Sequence, residues 1–316
     1  MDALKTNADK LERRDVPLVS VCLLTYQHAK YIEDCLKSIL DQSYPCIELV
    51  VLDDASTDGT ADIISGYAER FEEKNIDFHF IRHEVNAGNV PTNCNEMVRA
   101  SRGKYLKLLS GDDMLLDCCV TSLVEFLETT DCSIVYANGY IVDDNYRYGE
   151  RFGREVILKN HHEIPKNILF ERLLVRNYIP SSTAMIPRWI YDKYGMYDEN
   201  IGYEDYDLWL RVAAGGGTFA YLNRFVYLYR KSETGLSNCN SRAKFAFMYN
   251  ETIKILKKHM IELSPDKRKE MVPRFYKDWM GRAKEEQYLD IYMCLQLKYV
   301  RWLLRNKLKK AGKSNL

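Results

Sequence analysis

Apolar residues gather along the first third of the chain in short unbroken runs, separated by segments with helical spacing. Residues 19–26 (VSVCLLTY) form a nearly continuous β-prone run, the pattern of a strand covered on both faces, as in a parallel sheet. Over 31–42, Ile32, Cys35, Leu36, Ile39 and Leu40 recur at helical spacing before Ser43-Tyr44-Pro45 closes the element. Residues 47–54 (IELVVLDD) predict a second buried strand. STDGT then supplies turn and capping residues, and Ile63, Ile64, Tyr67, Ala68 and Phe71 predict a second amphipathic helix. Residues 78–82 predict a third strand. A helix over 92–101 leads into a fourth, within KYLKLLSGDDM at 104–114, where Tyr105, Leu106, Leu108 and Leu109 surround one lysine.

This βαβαβαβ alternation predicts right-handed crossovers and a mainly parallel sheet with helices on both faces. In such α/β sheets ligands collect at the carboxyl ends of the strands. Thr25-Tyr26, Asp53-Asp54 and Asp112-Asp113 all fall there. Two adjacent aspartates at a strand end repel each other unless a cation or hydrogen-bond donors occupy the space before them. A hard divalent ion, Mg2+ or Mn2+, suits such a pair because it prefers oxygen ligands. An ordinary Asp-rich turn capping the next helix is the plain alternative. A nucleotide is the natural occupant of the edge: Tyr26 offers a stacking face, and the carboxylates accept from base and ribose. No GxGxxG follows the first strand and no GxxxxGK[ST] occurs, so neither a dinucleotide cofactor nor a phosphate-gripping P-loop is indicated.

Composition changes this picture little. With 316 residues, 46% of them hydrophobic, the chain holds one large domain or a domain with an appendage. Lys plus Arg and Asp plus Glu balance at 45 each, so no global field draws the protein to nucleic acid, which is not expected as a partner. The nine cysteines lack CxxC spacing and sit mostly in apolar runs, as Cys22, Cys35, Cys94 and Cys132 do, which predicts reduced core thiols. The first residues, MDALKTNADKLERRD, are too polar for a secretory signal, and no run approaches the roughly 20 apolar residues of a membrane span. A cytoplasmic protein is expected, with any membrane contact peripheral.

Three stretches taken together resemble the successive signatures of family 2 glycosyltransferases with the GT-A fold: 19–60 (VSVCLLTYQHAKYIEDCLKSILDQSYPCIELVVLDDASTDGT), 86–113 (NAGNVPTNCNEMVRASRGKYLKLLSGDD) and 203–211 (YEDYDLWLR). The resemblance implies a nucleotide-sugar donor, a divalent metal, and transfer with inversion at the anomeric carbon. It places Thr25 and Tyr26 in the base pocket and makes Asp54 the carboxylate that reads the base, a chemistry suited to uracil or thymine. Asn86, Gly88, Asn93 and Asn95 match a loop and helix start near the nucleotide, where helix capping is the competing role. Asp112 matches the ribose contact and Asp113 the metal ligand.

An acceptor hydroxyl is a poor nucleophile until its proton is being removed, so transfer needs a base. Asp205 matches the family's base, with Glu204 beside it as an acceptor or donor-sugar contact. Both precede a helix bearing Leu208, Trp209 and Val212, and an electropositive N-terminus is expected to keep them ionised. One departure stands out: where many relatives carry the histidine of a YRxH pattern, this chain has Tyr229-Arg230-Lys231-Ser232. Water and diphosphate then complete the metal shell, or Lys231 or Arg230 neutralises phosphate; a solvated loop is the alternative.

The expected organisation is a leader at 1–16, a GT-A domain at 17–238 with a nucleotide-sugar half to 115 and an acceptor half from 116, and a helical region at 239–316. Between Asn138 and Ile186 the alternation lapses. Tyr140, Tyr146, Tyr148, Phe152 and the 180–183 turn are candidates for shaping the acceptor site or an ordered flap. The basic end, KYVRWLLRNKLKKAGK, suits an interfacial helix or packing on the catalytic domain. An interfacial helix would fit a lipid-linked acceptor used in bacterial surface-polysaccharide assembly, although a glycan acceptor suits the motifs equally. A glycoside hydrolase would need two carboxylates flanking the bond and no nucleotide crevice. A silent nucleotide-sugar-binding subunit would have no need of the Tyr203-Glu204-Asp205 motif.

Overall fold

The computed structural model describes residues 16–150, 155–159, 163–231 and 242–311, the last five by their backbone alone. The expected leader up to residue 15, Phe152 and Ser232 lie outside the described residues. The chain divides into two compact units, one within Met1–Lys166 and Ile179–Asn238, the other within Asn167–Tyr178 and Cys239–Leu316.

The first unit is built on the predicted alternation: β1 (Val19–Thr25), α1 (Ile32–Leu40), β2 (Ile47–Asp53), α2 (Thr60–Ser65), α3 (Ala68–Glu73), β3 (Asp77–Arg82), α4 (Val90–Ala100) and β4 (Tyr105–Ser110). These strands are parallel in the order β3-β2-β1-β4, and a two-residue β7 (Ile186–Pro187) adds antiparallel to β4. Continuous apolar runs have no solvent face, and β2 is buried at every position. Ile32, Cys35, Leu36 and Ile39 of α1 are fully buried, as its periodicity requires. Register then fixes the functional edge: Thr25 lies opposite Asp53, Leu24 opposite Ser110 and Asp53 opposite Arg82. The carboxyl ends of four strands therefore finish level.

The expected single helix after the second strand is two short ones. Gly66 and Tyr67 interrupt it, with the Tyr67 amide donating to Ile64 O in a tightened turn and its hydroxyl to Glu33. Glycine is a poor helix former, and the tyrosine gains more by packing into the core than by continuing the helix.

The remaining strands, β5 (Met114–Leu115), β6 (Ile134–Val142) and β8 (Phe219–Arg230), form a second sheet in the order β5-β8-β6. The lysine of the fourth strand, Lys107, is fully buried. Its ammonium donates to the carbonyls of Leu108 and Ser182 and lies 4.8 Å from the Tyr227 ring centroid. Burial lowers its pKa to about 8. Around these strands pack α5 (Cys119–Thr129), α7 (Trp189–Tyr194) and α8 (Glu204–Ala214). The described cysteines form no disulfides, and Cys22, Cys35, Cys94 and Cys119 are buried thiols.

The second unit contains α6 (Lys166–Val175), α9 (Arg242–His259), α10 (Pro265–Glu285) and α11 (Leu289–Ala311). Its core is aromatic, with Trp279 edge-on to Phe245 at 5.2 Å and to Tyr249 at 5.3 Å. Helix α6, which comes from the irregular middle of the sequence, joins this unit through the Lys267–Glu171 and Arg176–Asp278 ion pairs. No helix among the described residues is long and apolar enough to cross a membrane.

Candidate active site

Two loops leave the strand edge and lock together. After β1, the Gln27 amide donates to Ser56 Oγ at 2.8 Å, the His28 amide to Thr60 Oγ1 at 2.9 Å and the Ala29 amide to Asp58 Oδ2 at 2.9 Å. Gln27 (φ 56) and Ala55 (φ 63) hold left-handed conformations, each directly after an expected base-binding residue, Tyr26 or Asp54. Non-glycine residues stay there only when neighbours enforce it, and such strain clusters at ligand sites. Tyr26 is 45% exposed with its ring available for stacking, while Thr25 is buried and its hydroxyl lies 3.2 Å from His28 Nδ1.

Asp54 is cradled. The amides of Ala87 and Gly88 donate to its carboxylate at 2.8 and 3.2 Å, His83 Nδ1 lies 2.8 Å away, and the Asn86 side chain donates to its carbonyl at 3.0 Å. Burial raises its pKa, but donation from Ala87, His83, Asn93 and Gly88 outweighs this and holds the group below its ordinary value. His83 also lies 3.0 Å from Glu96. Its pKa is raised, chiefly by Asp54, against burial and with help from Glu96. Sequence reading missed His83, although it follows β3 at the same level edge.

Helix α4 distributes its first residues between two places. Asn89 caps it, accepting from the Thr92 amide at 3.1 Å. Asn93 donates toward Asp54, and its Oδ1 is a buried acceptor without a donor among the described residues. Asn95, expected beside the nucleotide, instead binds Tyr197 O at 3.0 Å and Glu199 Oε1 at 2.9 Å, and accepts from the Tyr197 amide at 2.9 Å. Buried and fully engaged, it positions the segment leading to Glu204 and Asp205. Cys94 lies in the field of both carboxylates.

The two aspartates after β4 separate by environment. Asp112 is partly exposed and accepts from Ser110 Oγ at 2.5 Å. Asp113, the expected metal ligand, is 4% exposed; Tyr227 Oη donates to one oxygen at 2.8 Å and the Arg230 amide to the other at 2.7 Å. Burial and Asp112 raise its pKa well above the usual carboxylate range, against those donors. Each Asp113 oxygen thus has one protein donor and keeps a further lone pair, while Asp112 is the more exposed of the two carboxylates. A Cβ at Gly111 would fall 2.7 Å from both His28 Nδ1 and Thr25 Oγ1, so only glycine lets the turn approach β1 this closely.

Arg230, expected as a candidate for neutralising phosphate, is turned into the protein. It is 1% exposed, and its guanidinium donates to the carbonyls of Asp112 (2.9 Å), Asp143 (3.3 Å), Asp144 (3.4 Å) and Tyr146 (2.7 Å), with Asp34 Oδ2 at 3.6 Å. Lys231 is exposed, and its amide donates to Val142 O at 2.9 Å. Of the tyrosines expected near an acceptor, Tyr140 stacks on Phe225 at 4.2 Å and Tyr146 is buried. The 181–183 segment is a 3-10 turn gripped by Lys107.

Glu204 and Asp205 occupy the first turn of α8, both partly exposed. For Glu204 the helix terminus is opposed: desolvation of its carboxyl group, in a residue that stays partly exposed, and the neighbouring Asp205 push it up to about 8. The helix field, typically worth 0.3–1 kcal/mol, is too weak to offset desolvation plus a like charge. Between the unfolded value near 4.5 and the folded value of about 8 the native state holds the extra proton, so this group lowers stability as pH rises through that window. Urea midpoints of wild type and Glu204→Gln should therefore diverge in favour of the variant from pH 5 to pH 9. Parallel profiles would mean that Glu204 ionises normally.

Among the described residues no group of three or more His, Cys, Asp or Glu side chains could hold a metal. The adjacent Asp112 and Asp113 carboxylates suit an ion that would take the rest of its ligands from phosphate oxygens of a substrate and water, as Mg2+ commonly does.

A sequence model described as Glycosyl transferase family 2 matches residues 20–195. A putative teichuronic acid biosynthesis glycosyltransferase of Bacillus subtilis, TuaG, is 27% identical over 237 residues, covering 74% of this chain and 88% of its own. Among solved structures, S. aureus TarS 1–349 in complex with UDP-GlcNAc aligns with a TM-score of 0.55 at 16% identity, covering 90% of this chain and 92% of that one. The Pyrobaculum calidifontis mannosyltransferase PcManGT, in complex with GDP-Man and Mn2+, aligns with a TM-score of 0.53 at 17% identity over 91% and 83% of the two chains.

Proposed function

The chain belongs to glycosyl transferase family 2, and on that premise we propose that it moves a hexose from a UDP-sugar to a hydroxyl of a glycan or lipid-linked acceptor, with inversion, in bacterial surface-polysaccharide synthesis. The observation that carries this reading is the double attachment of α4, with Asn93 turned to the Asp54 cradle and Cys94 and Asn95 to the Glu204–Tyr197 side. One rigid element thus fixes the base-reading carboxylate relative to the carboxylate pair proposed to meet the acceptor. The relatives agree with this reading: TarS is solved in complex with UDP-GlcNAc, PcManGT in complex with GDP-Man and Mn2+, and TuaG is named a putative teichuronic acid biosynthesis glycosyltransferase.

In this reading residues 17–115 bind the donor and 116–238 shape the acceptor side. Tyr26 stacks on the base and Asp54 accepts from the ring N3–H. Asn86 and Gly88 hold the loop that cradles Asp54, and Asn93 offers its buried Oδ1 to a donor on the nucleoside. Asp113 would hold Mn2+ or Mg2+ together with the diphosphate, Asp112 beside it would meet the ribose, and Lys231 would neutralise phosphate. The metal, when bound, stabilises charge on the departing nucleoside diphosphate. Asp205 removes the proton from the acceptor hydroxyl as the new bond forms. Glu204, carrying its proton at neutral pH, donates a hydrogen bond to sugar or acceptor.

Calorimetric titration with UDP-, dTDP- and GDP-sugars, with and without EDTA, tests this assignment. One UDP-sugar should bind, and EDTA should weaken it by at least about tenfold, because a bound ion would share its ligands between protein carboxylate and diphosphate. Tight binding that EDTA leaves unchanged would remove the metal from the reading, and no binding to any donor would remove the transferase reading itself.

A further inference from the structure

The neutral whole hides an uneven distribution of charge. Residues 239–316 contain 19 Lys and Arg against 8 Asp and Glu, a net charge of +11. Because the full chain balances 45 against 45, the other 238 residues carry −11. Exposed apolar side chains are just as unevenly placed. Of the eleven large hydrophobic residues exposed among the described ones, the first unit has Tyr26, Val85 and Trp189, which are scattered; the other eight belong to the second.

Five of those eight form a line. Leu289, Met293, Leu297, Val300 and Leu304 follow one another at intervals of four, four, three and four residues along α11, and they are 64%, 61%, 60%, 47% and 55% exposed. That spacing is one face of a helix. The opposite face, with Leu295 at 1% exposure, is the one that packs inward. Along one border of the stripe lie Arg301 and Arg305, both exposed. The stripe runs about 22 Å at 1.5 Å per residue.

We propose that this face of α11 docks on an anionic lipid surface, with the helix lying in the plane of the headgroups. A narrow apolar line bordered by cations is what an interfacial helix presents: the side chains enter the acyl boundary while guanidinium groups meet phosphate. A second copy pairing stripe to stripe would set two segments of net charge +11 against each other, whereas an anionic surface complements that charge. The inference deepens the proposed function, since it brings the enzyme to the surface where a lipid-linked acceptor resides, but it rests on different residues.

Flotation of the full-length protein with vesicles tests it. Wild type should float with phosphatidylcholine vesicles that contain phosphatidylglycerol, and should be released by high salt and by omission of the anionic lipid. The Leu297→Asp/Leu304→Asp variant should lose at least about tenfold in partitioning, and Arg301→Ala about fivefold, the expected share of one cation near the surface. These side chains are exposed, so unchanged thermal melting should accompany the loss. Nucleotide-sugar binding measured without vesicles should be unaffected in every variant, which separates this inference from the donor assignment. Undiminished flotation of the Leu297→Asp/Leu304→Asp variant would overturn the proposal. So would a lipid-free dimer in the wild type that the variant converts to monomer, which would make the stripe an interface between copies.

Discussion

Asp205→Asn is expected to lower turnover by a factor of about 10² to 10⁴, the usual worth of a general base, with nucleotide-sugar affinity changed by less than about twofold. The argument begins with position. Asp205 stands in the first turn of α8, with one oxygen accepting from the Tyr206 amide at 2.7 Å, so its carboxylate is oriented by the backbone. The residues proposed to hold the nucleotide lie on other elements: Asp54 follows β2, Asp112 follows β4, and Tyr26 follows β1. Losing the base therefore spares the donor contacts. Glu204 provides an internal control. Its carboxyl is pushed up to about 8 partly by the Asp205 charge, so asparagine at 205 should also let Glu204 ionise at lower pH. If Glu204 were the base instead, wild-type activity would climb through pH 8 and Glu204→Gln would be the more damaging change. Steady-state rates for the three proteins between pH 6 and 9, with calorimetric donor binding alongside, decide between the two.

The parts of this site readable from sequence are those whose signal is local. Unbroken apolar runs at β1, β2 and β4 mark strands buried on both faces, and their common termination in Thr25, Asp53-Asp54 and Asp112-Asp113 marks the edge. What escaped sequence reading depends on partners far along the chain. Nothing near Lys107 says that its ammonium will be satisfied by Ser182, 75 residues away. Asp112 and Asp113 look equivalent in sequence, and only Tyr227 and the Arg230 amide, 114 and 117 residues on, engage the second of them. Asparagine near a nucleotide loop is ambiguous in sequence between binding and structure, and the partners that Asn95 bonds, Tyr197 and Glu199, lie about a hundred residues away. Helix α6 has an unremarkable local pattern, and only its ion pairs to α10 assign it to the second unit.

Arg230→Met should cost about 3–5 kcal/mol of stability, the range for removing one member of a buried charge pair. A lysine in its place should not restore it, because an ammonium cannot reproduce a planar fork that reaches several carbonyls at once. The guanidinium ties Asp112 O, in the turn that presents the accessible carboxylate, to the carbonyls of Asp143, Asp144 and Tyr146, and the same segment is anchored from the other side by Tyr31 Oη on Asp144 at 2.5 Å. Removing it frees both segments and strands Asp34, whose buried Oδ2 has no hydrogen-bond donor among the described residues and depends on Arg230 at 3.6 Å and Arg147 at 4.0 Å. That carboxylate supplies a discriminating second step. If its uncompensated charge is the main cost, Asp34→Asn in the Arg230→Met background should recover a substantial share of the lost stability; Asp34→Asn alone should destabilise. Donor affinity should follow a different course, since neutralising Asp34 does nothing to rebuild the span from Asp112 to Tyr146: the double variant should melt closer to wild type and still bind nucleotide-sugar poorly. Recovery of both properties together would mean that Arg230 serves only to balance Asp34. Recovery of neither would place its whole contribution in the carbonyls it gathers.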